Sequence, residues 1–251
     1  MSSQEAPMNP LLARWFRIRN YLTEDFLGGP KIVKFAWSIN LQKGGTLLFV
    51  LGLMYGFGDF SATAWTYAAL HGSDGFIWLL KDRVFPDPAW QKKLTVGGAI
   101  NTWLLVLGLY WLAPILLVTR RHEAAPAMLG GAILLYAIGV VLMVASDAQK
   151  YFLLRTRRGL VTDGFFARTR NPNYLGEMML YASFAIVAGH LIPWVVLAWV
   201  WGGVFWPNML RKDASLARYP GWPAYRAATG LLLPRLFRGP APAAAEAPAP
   251  L

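Results

Sequence analysis

"AMLGGAILLYAIGVVLMVA", residues 127–145, runs for 19 positions without one charged side chain. A helix needs roughly 17–25 apolar residues to cross the hydrocarbon of a bilayer, so this stretch reads as a membrane span. Similar runs fall at about 44–60, 62–80 and 96–118 before it, and at about 173–189 and 191–206 after it. The pattern predicts an all-α, polytopic membrane helix bundle of about six to seven transmembrane helices, the last two closely paired. Composition agrees, since 56% of the 251 residues are hydrophobic, 14% are aromatic and twelve are Trp. Ordinary soluble domains do not have that usage.

The charges fall between the spans. Basic residues gather before the first (Arg14, Arg17, Arg19, Lys31, Lys34, Lys43), between the second and third (Lys81, Arg83, Lys92, Lys93), between the fourth and fifth, and after the last. With six spans all four groups share one side, and the other side keeps only Arg120 and Arg121. The positive-inside rule then puts both termini in the cytoplasm, in a bacterial inner membrane or the endoplasmic reticulum. The predicted organisation is a cytoplasmic N-terminal segment at 1–43, a substrate-side half at 44–145, a cofactor-binding catalytic half at 146–237 and a disordered Pro/Ala tail at 238–251. Membrane sorting accounts for most of the +11 net charge, so nucleic acid is not an expected partner. With no cysteine and three scattered histidines, no metal site is expected. No secretory signal is read in the first twenty residues, which lack an apolar core closed by small residues.

Polar side chains inside the spans carry the functional reading. In "TRNPNYLGE", residues 169–177, Asn171 and Pro172 have the form of a helix cap and first turn. Arg168 and Arg170 stand just before that helix N-terminus, and together with Asn171 they make a candidate anion site, suited to phosphate. Asn173, Glu177 and Tyr181 recur on one face of the same helix. A carboxylate at bilayer depth costs about 2.5–3.5 kcal/mol on insertion scales and turns inward, either to a structural partner or to a cofactor pocket. A second polar face comes from "TYAALHGSDGFIW", where Tyr67, His71, Asp74 and Trp78 align. His71 and Asp74 either bond helices together or face substrate, and Gly72 and Gly75 invite close helix approach. Trp194, Trp199, Trp201 and Trp206 either line an apolar cavity or anchor the chain at the interface.

"GLVTDGFFARTRNPNYLGE", with "SDAQKYFLLRTRR" before it and "MLRKDASLARYPGWPAYRAATGLLLPRLF" after it, resembles the C-terminal catalytic part of the steroid 5-alpha-reductase family, including DUF1295-like membrane reductases. The wider superfamily takes in sterol C14 and C7 reductases and isoprenylcysteine carboxyl methyltransferases. The resemblance covers about residues 140–237, with Tyr219, Trp222 and Tyr225 approximating the C-terminal aromatic element. It implies a cofactor, NADPH in the reductases and S-adenosylmethionine in the methyltransferases, held by Asp147, Lys150, Arg155, Arg170, Asn173, Tyr174, Glu177, Arg211, Tyr219 and Tyr225. Several arginines in the 155–170 region suit the phosphates of NADPH better than a sulfonium. The expected reaction is hydride transfer to an activated C=C bond of a lipophilic substrate such as a 3-oxo-4-ene steroid. Asp74, with Tyr67 or His71, is the candidate polariser of its carbonyl.

Overall fold

The computed structural model describes residues 9–157 and 159–237. The expected disordered tail and Arg158 of the basic cluster lie outside these residues. Helix makes up 76% of the structure and strand 3%, so the fold is the expected all-α membrane bundle.

Among the described residues the long elements are α1 (Pro10–Asn20), α2 (Phe35–Phe57), α3 (Ala62–Val84), α4 (Val96–Thr119), α5 (Pro126–Thr156), α6 (Pro172–Ala188) and α7 (Leu191–Leu216), followed by a short α8 (Trp222–Ala228). By length and composition α4, α5 and α7 can each cross a membrane. At 23 residues each, α2 and α3 reach about 34 Å, long enough to span. Gln42, Lys43, His71, Asp74 and Lys81 lower their hydropathy, and every one of these side chains is buried.

Those inward charges also explain where the helices end. The sequence places the first span at 44–60, just after Lys43, yet the helix starts at Phe35 because Lys43 faces the interior. Likewise α3 continues past 80 to Val84, and α5 past 145 to Thr156, with Lys81 and Asp147 ion-paired between them. The true stops are local backbone signals. Gly58 closes α2 with φ at 67°, a conformation that costs glycine little, and donates its N–H to the Met54 carbonyl. Ser61 caps α3 by accepting from the Ala64 N–H at 3.1 Å.

Glycines set the closest helix crossings. A Cβ at Gly139 on α5 would stand 2.7 Å from the Gly176 carbonyl oxygen, and one at Gly176 on α6 would stand 2.5 Å from the Gly139 oxygen. A Cβ at Gly75 on α3 would collide with the Lys43 carbonyl on α2. Small residues at such crossings let backbones meet where lipid provides no hydrophobic drive between helices. The turns near 58, 121 and 189 come together at one end of the bundle, where Arg121 donates to the Phe57 carbonyl and Gly189 abuts His122. The four basic segments meet at the other end, where Arg19 bonds Asn208 and Lys150 faces Asp87 at 4.0 Å. A two-stranded antiparallel ribbon, β1 (Val33–Lys34) with β2 (Lys93–Leu94), ties the segments before α2 and α4 together there.

Three turns of wider π geometry occur at Tyr21–Asp25, Trp103–Leu107 and Trp201–Phe205. Side chains bridge these segments: the Trp15 indole donates to the Gly203 carbonyl and the Trp199 indole to the Leu105 carbonyl, both at 2.9 Å. Such turns occur often at functional sites. Here all three border the same space.

Candidate functional site

A cavity of about 750 Å³ opens at the basic end and runs between the helices. That volume lies inside the range of about 300–1,000 Å³ typical of small-molecule and cofactor sites. Its walls come from α1, α2, α3, the 85–94 loop, α4, α6 and α7, and all three π turns contribute residues. The mouth is cationic. Arg19 and Arg211 each stack on the Phe16 ring at 4.4 Å, and Lys92 and Lys212 join them on the wall. Burial, and after it the charge of Arg211, pushes the Arg19 guanidinium down to about 10. It is still protonated at neutral pH, and an anion between the two arginines would relieve their repulsion.

Toward the middle of the bundle the wall changes character. Glu177, in the second turn of α6, faces the cavity. Among the described residues its carboxylate makes no direct hydrogen bond or ion pair, although Lys43 and Lys81 act on it through space. Tyr181, one turn further along α6, stacks on Tyr110 of α4 with ring centroids 4.3 Å apart and planes at 13°. Lys43 completes this end, its ammonium 4.9 Å from the ring centres of both Tyr181 and Trp78. Tyr174 lines the wall between the two ends, its ring 4.9 Å from that of Phe205.

Other residues singled out from the sequence have different surroundings. Arg170 is buried, pairs with Asp213 at 3.0 Å and donates to the Thr229 carbonyl at 2.7 Å. Arg168 donates to the Arg235 and Leu236 carbonyls. The Asn171 side chain does not cap α6, because its amide donates to the Leu231 carbonyl at 2.8 Å while its oxygen accepts from Lys212. Chain from 229 to 236 therefore covers the turn expected to hold phosphate, and the basic side chains that line the cavity are Arg19, Lys43, Lys92, Arg211 and Lys212. Arg155 lies exposed beside Tyr151, and Arg157 pairs with Asp163. Asp147 is ion-paired to Lys81 and faces Lys150 at 3.8 Å, behind the wall. Asn173 is also behind it, and among the described residues its buried Oδ1 has no hydrogen-bond partner. Tyr219 packs on the Leu160, Trp222 and Tyr225 cluster. Tyr225 donates its phenol proton to the Phe166 carbonyl, and burial pushes that phenol up from its ordinary value.

The polar face of α3 divides. Trp78 is on the cavity wall, while Tyr67 and His71 bond each other at 2.9 Å beside a small separate void. Asp74 is buried and binds Lys43 at 2.9 Å. Trp199 lines the cavity while remaining half exposed on its outer side.

The sequence reading overlooked Arg19, Lys43, Lys92, Tyr110 and Lys212 as wall residues. An amphipathic pattern in "NPLLARWFRIRN", residues 9–20, marks α1 as a surface-bound helix with one buried side. That signal could have found Arg19. Nothing local distinguishes Tyr110, whose place is set by the π turn preceding it.

A family model described as "Protein of unknown function (DUF1295)" matches residues 89–218, which take in the second half of the 85–94 loop, α4, α5, α6 and α7. Two fission-yeast (Schizosaccharomyces pombe) proteins described as uncharacterized are similar in part. C594.04c is 36% identical over 93 residues, 35% of this chain and 27% of its own length. C7D4.09c is 36% identical over 74 residues, 26% of this chain and 24% of its own. The chain thus spans about a quarter of the length of these relatives.

Proposed function

The chain belongs to the DUF1295 family of steroid 5-alpha-reductase-like proteins, and on that footing we propose that it is an NADPH-dependent membrane reductase of an activated C=C bond in a lipophilic substrate, such as a 3-oxo-4-ene steroid. One observation carries the reading: a single cavity joins a mouth lined by Arg19, Arg211, a Lys92 paired with Glu24 and a Lys212 held by Asn171 to a mid-bundle end bearing the Glu177 carboxylate, the Lys43 ammonium and two phenols. The residues present fit the cofactor. Arg19 and Arg211 offer planar, bidentate donors for its phosphates, and Lys92, paired with Glu24, and Lys212, donating to Asn171, stand beside them. Glu177 offers an acceptor for the carboxamide N–H of a nicotinamide, a contact that would answer the carboxylate's want of a direct partner.

The cofactor supplies the hydride. The protein supplies position and field. Apolar side chains of α4 and α7 hold the substrate and exclude water from the reacting carbons. Hydride delivered to the β-carbon would gather negative charge on the carbonyl oxygen, to which the hydrogen-bonded Tyr110 and Tyr181 pair could donate, and the α-carbon would take the balancing proton from water. Asp74, His71 and Tyr67 support this end from one layer behind the wall.

Calorimetric titration of the detergent-purified full chain with NADPH, NADH and S-adenosylmethionine tests the reading. NADPH is expected to bind, with NADH weaker for want of the 2′-phosphate. Arg211→Ala should weaken NADPH about tenfold or more, the scale of one lost charge-assisted hydrogen bond. Glu177→Leu should also weaken it by about tenfold or more and should affect NADPH and NADH alike, because the carboxamide is common to both. Binding of S-adenosylmethionine alone would overturn the proposal in favour of a methyltransferase.

A further inference from the structure

We propose that the Lys43 ammonium is a catalytic residue that binds the carbonyl oxygen of the lipophilic substrate, and that Asp74 is the positioning residue that aims it. The site rests on four observations. Lys43 is only 5% exposed, yet it lies on the cavity wall about two turns into α2, away from the cationic mouth. Asp74 accepts one of its three N–H groups at 2.9 Å, and among the described residues Lys43 donates to no other acceptor. The faces of Trp78 and Tyr181 bound the ammonium at 4.9 Å each, which favours a cation there and limits the directions in which its remaining protons can point. The contact of Gly75 with the Lys43 backbone brings α2 and α3 close enough for Asp74 to reach it.

A purely structural ion pair in low dielectric satisfies both partners, because each unmet hydrogen bond adds to an already large desolvation cost. This pair does not. Among the described residues the Asp74 Oδ1 atom is buried without a hydrogen-bond partner, and Lys43 keeps two donors beyond the one that Asp74 accepts. Lys81, the other buried lysine, stands on α3 and engages Asp147, whose Oδ1 likewise has no hydrogen-bond partner among the described residues; what sets Lys43 apart is that it lies on the cavity wall and Lys81 does not. Donors fixed before reaction at the place where charge develops act most strongly on the transition state. An ammonium anchored by Asp74 meets that description for an oxygen changing from carbonyl to enolate. The substrate class that follows is a ketone or enone at the leading end of an apolar body, small enough to reach the middle of the bundle past the 85–94 loop and α1.

The kinetic part of the test rests on the reductase reading, and the spectroscopic part does not. A steroid enone, androst-4-ene-3,17-dione, is bound to the cofactor-free full chain, and its C=O stretch is recorded by infrared difference spectroscopy. In the wild-type protein the conjugated carbonyl should absorb at lower frequency than in Lys43→Met, which has no donor at that position. Lys43→Met also strands a buried carboxylate, so the double variant Lys43→Met/Asp74→Leu, which removes both charges, is measured beside it. Both should lose the larger part of the frequency shift, the part owed to the ammonium, leaving at most what the Tyr110 and Tyr181 phenols contribute, while Lys43→Arg keeps more of it. With NADPH present, the double variant should show kcat lower by about 10²- to 10³-fold, with the dissociation constant for NADPH changed less than twofold. An unshifted carbonyl in the wild-type protein, or a shift undiminished in the double variant, overturns the assignment to Lys43. Lack of NADPH consumption by the wild-type protein despite a Lys43-dependent shift would overturn the reductase reading and leave the oxygen site standing.

Discussion

Arg170→Ala is expected to lower the stability of the bundle by about 3–5 kcal/mol, the usual cost of stranding one partner of a buried ion pair. The guanidinium is 6% exposed, meets Asp213 through both Nε and Nη2, and donates through Nη1 to the Thr229 and Arg226 carbonyls. Removal leaves Asp213 and two backbone acceptors without their donor and releases the connection between α6, α7 and the chain after α8. Arg170→Lys should recover little, since one ammonium cannot reproduce a planar fork of donors. Thermal unfolding in detergent checks the loss, and a melting temperature equal to that of the wild type would refute it. NADPH affinity of the fraction that remains folded should change less than threefold, because Arg170 lies off the cavity wall. Loss of affinity without loss of stability would return Arg170 to the cofactor site that the family resemblance implies.

Gly176→Val should be nearly as damaging, by a different physical route. A Cβ at 176 would lie 2.5 Å from both the Gly139 oxygen and the Met143 nitrogen, all backbone, so no side chain can swing aside to admit it. Overpacking of this kind costs about 1–3 kcal/mol or more. It must also push α6 away from α5, and Glu177 is the next residue along. NADPH binding is therefore expected to fall at least tenfold together with the melting temperature. Gly130→Ala is the matched control on the same pair of helices, since nothing lies within 4 Å of a Cβ there. Equal losses in the two variants would show that glycine as such, and not the crossing, matters.

Most of the fold was legible because a bilayer imposes one strong rule on sequence. Runs such as 127–145 can do little but cross it, and all six expected spans correspond to long helices. Boundaries were harder to read wherever a charge turned inward. Lys43, Lys81 and Asp147 look like the ends of helices in a hydropathy profile, yet they are interior residues of longer ones. The same ambiguity bears on the site. Glu177 could be placed in a pocket from its position in an apolar run, but the sequence offers no means of telling that Arg170 points at Asp213 while Arg19, more than 150 residues away, points into the cavity. Choosing between two arginines of like composition takes tertiary contacts such as those of Phe16 and Asn208.

The three π turns imply that this binding space depends on chain length as well as on residue type. The turn at Trp201–Phe205 takes in a single extra residue relative to an α-helix, which rotates the rest of α7 by about 100° around the helix axis. A helical wheel drawn continuously through 191–216 thus assigns Arg211 and Lys212 to the wrong azimuth, because the wheel does not record the insertion at 201–205. Relatives that keep every wall residue but lack the surplus position in that turn would carry the same side chains around a differently shaped hollow.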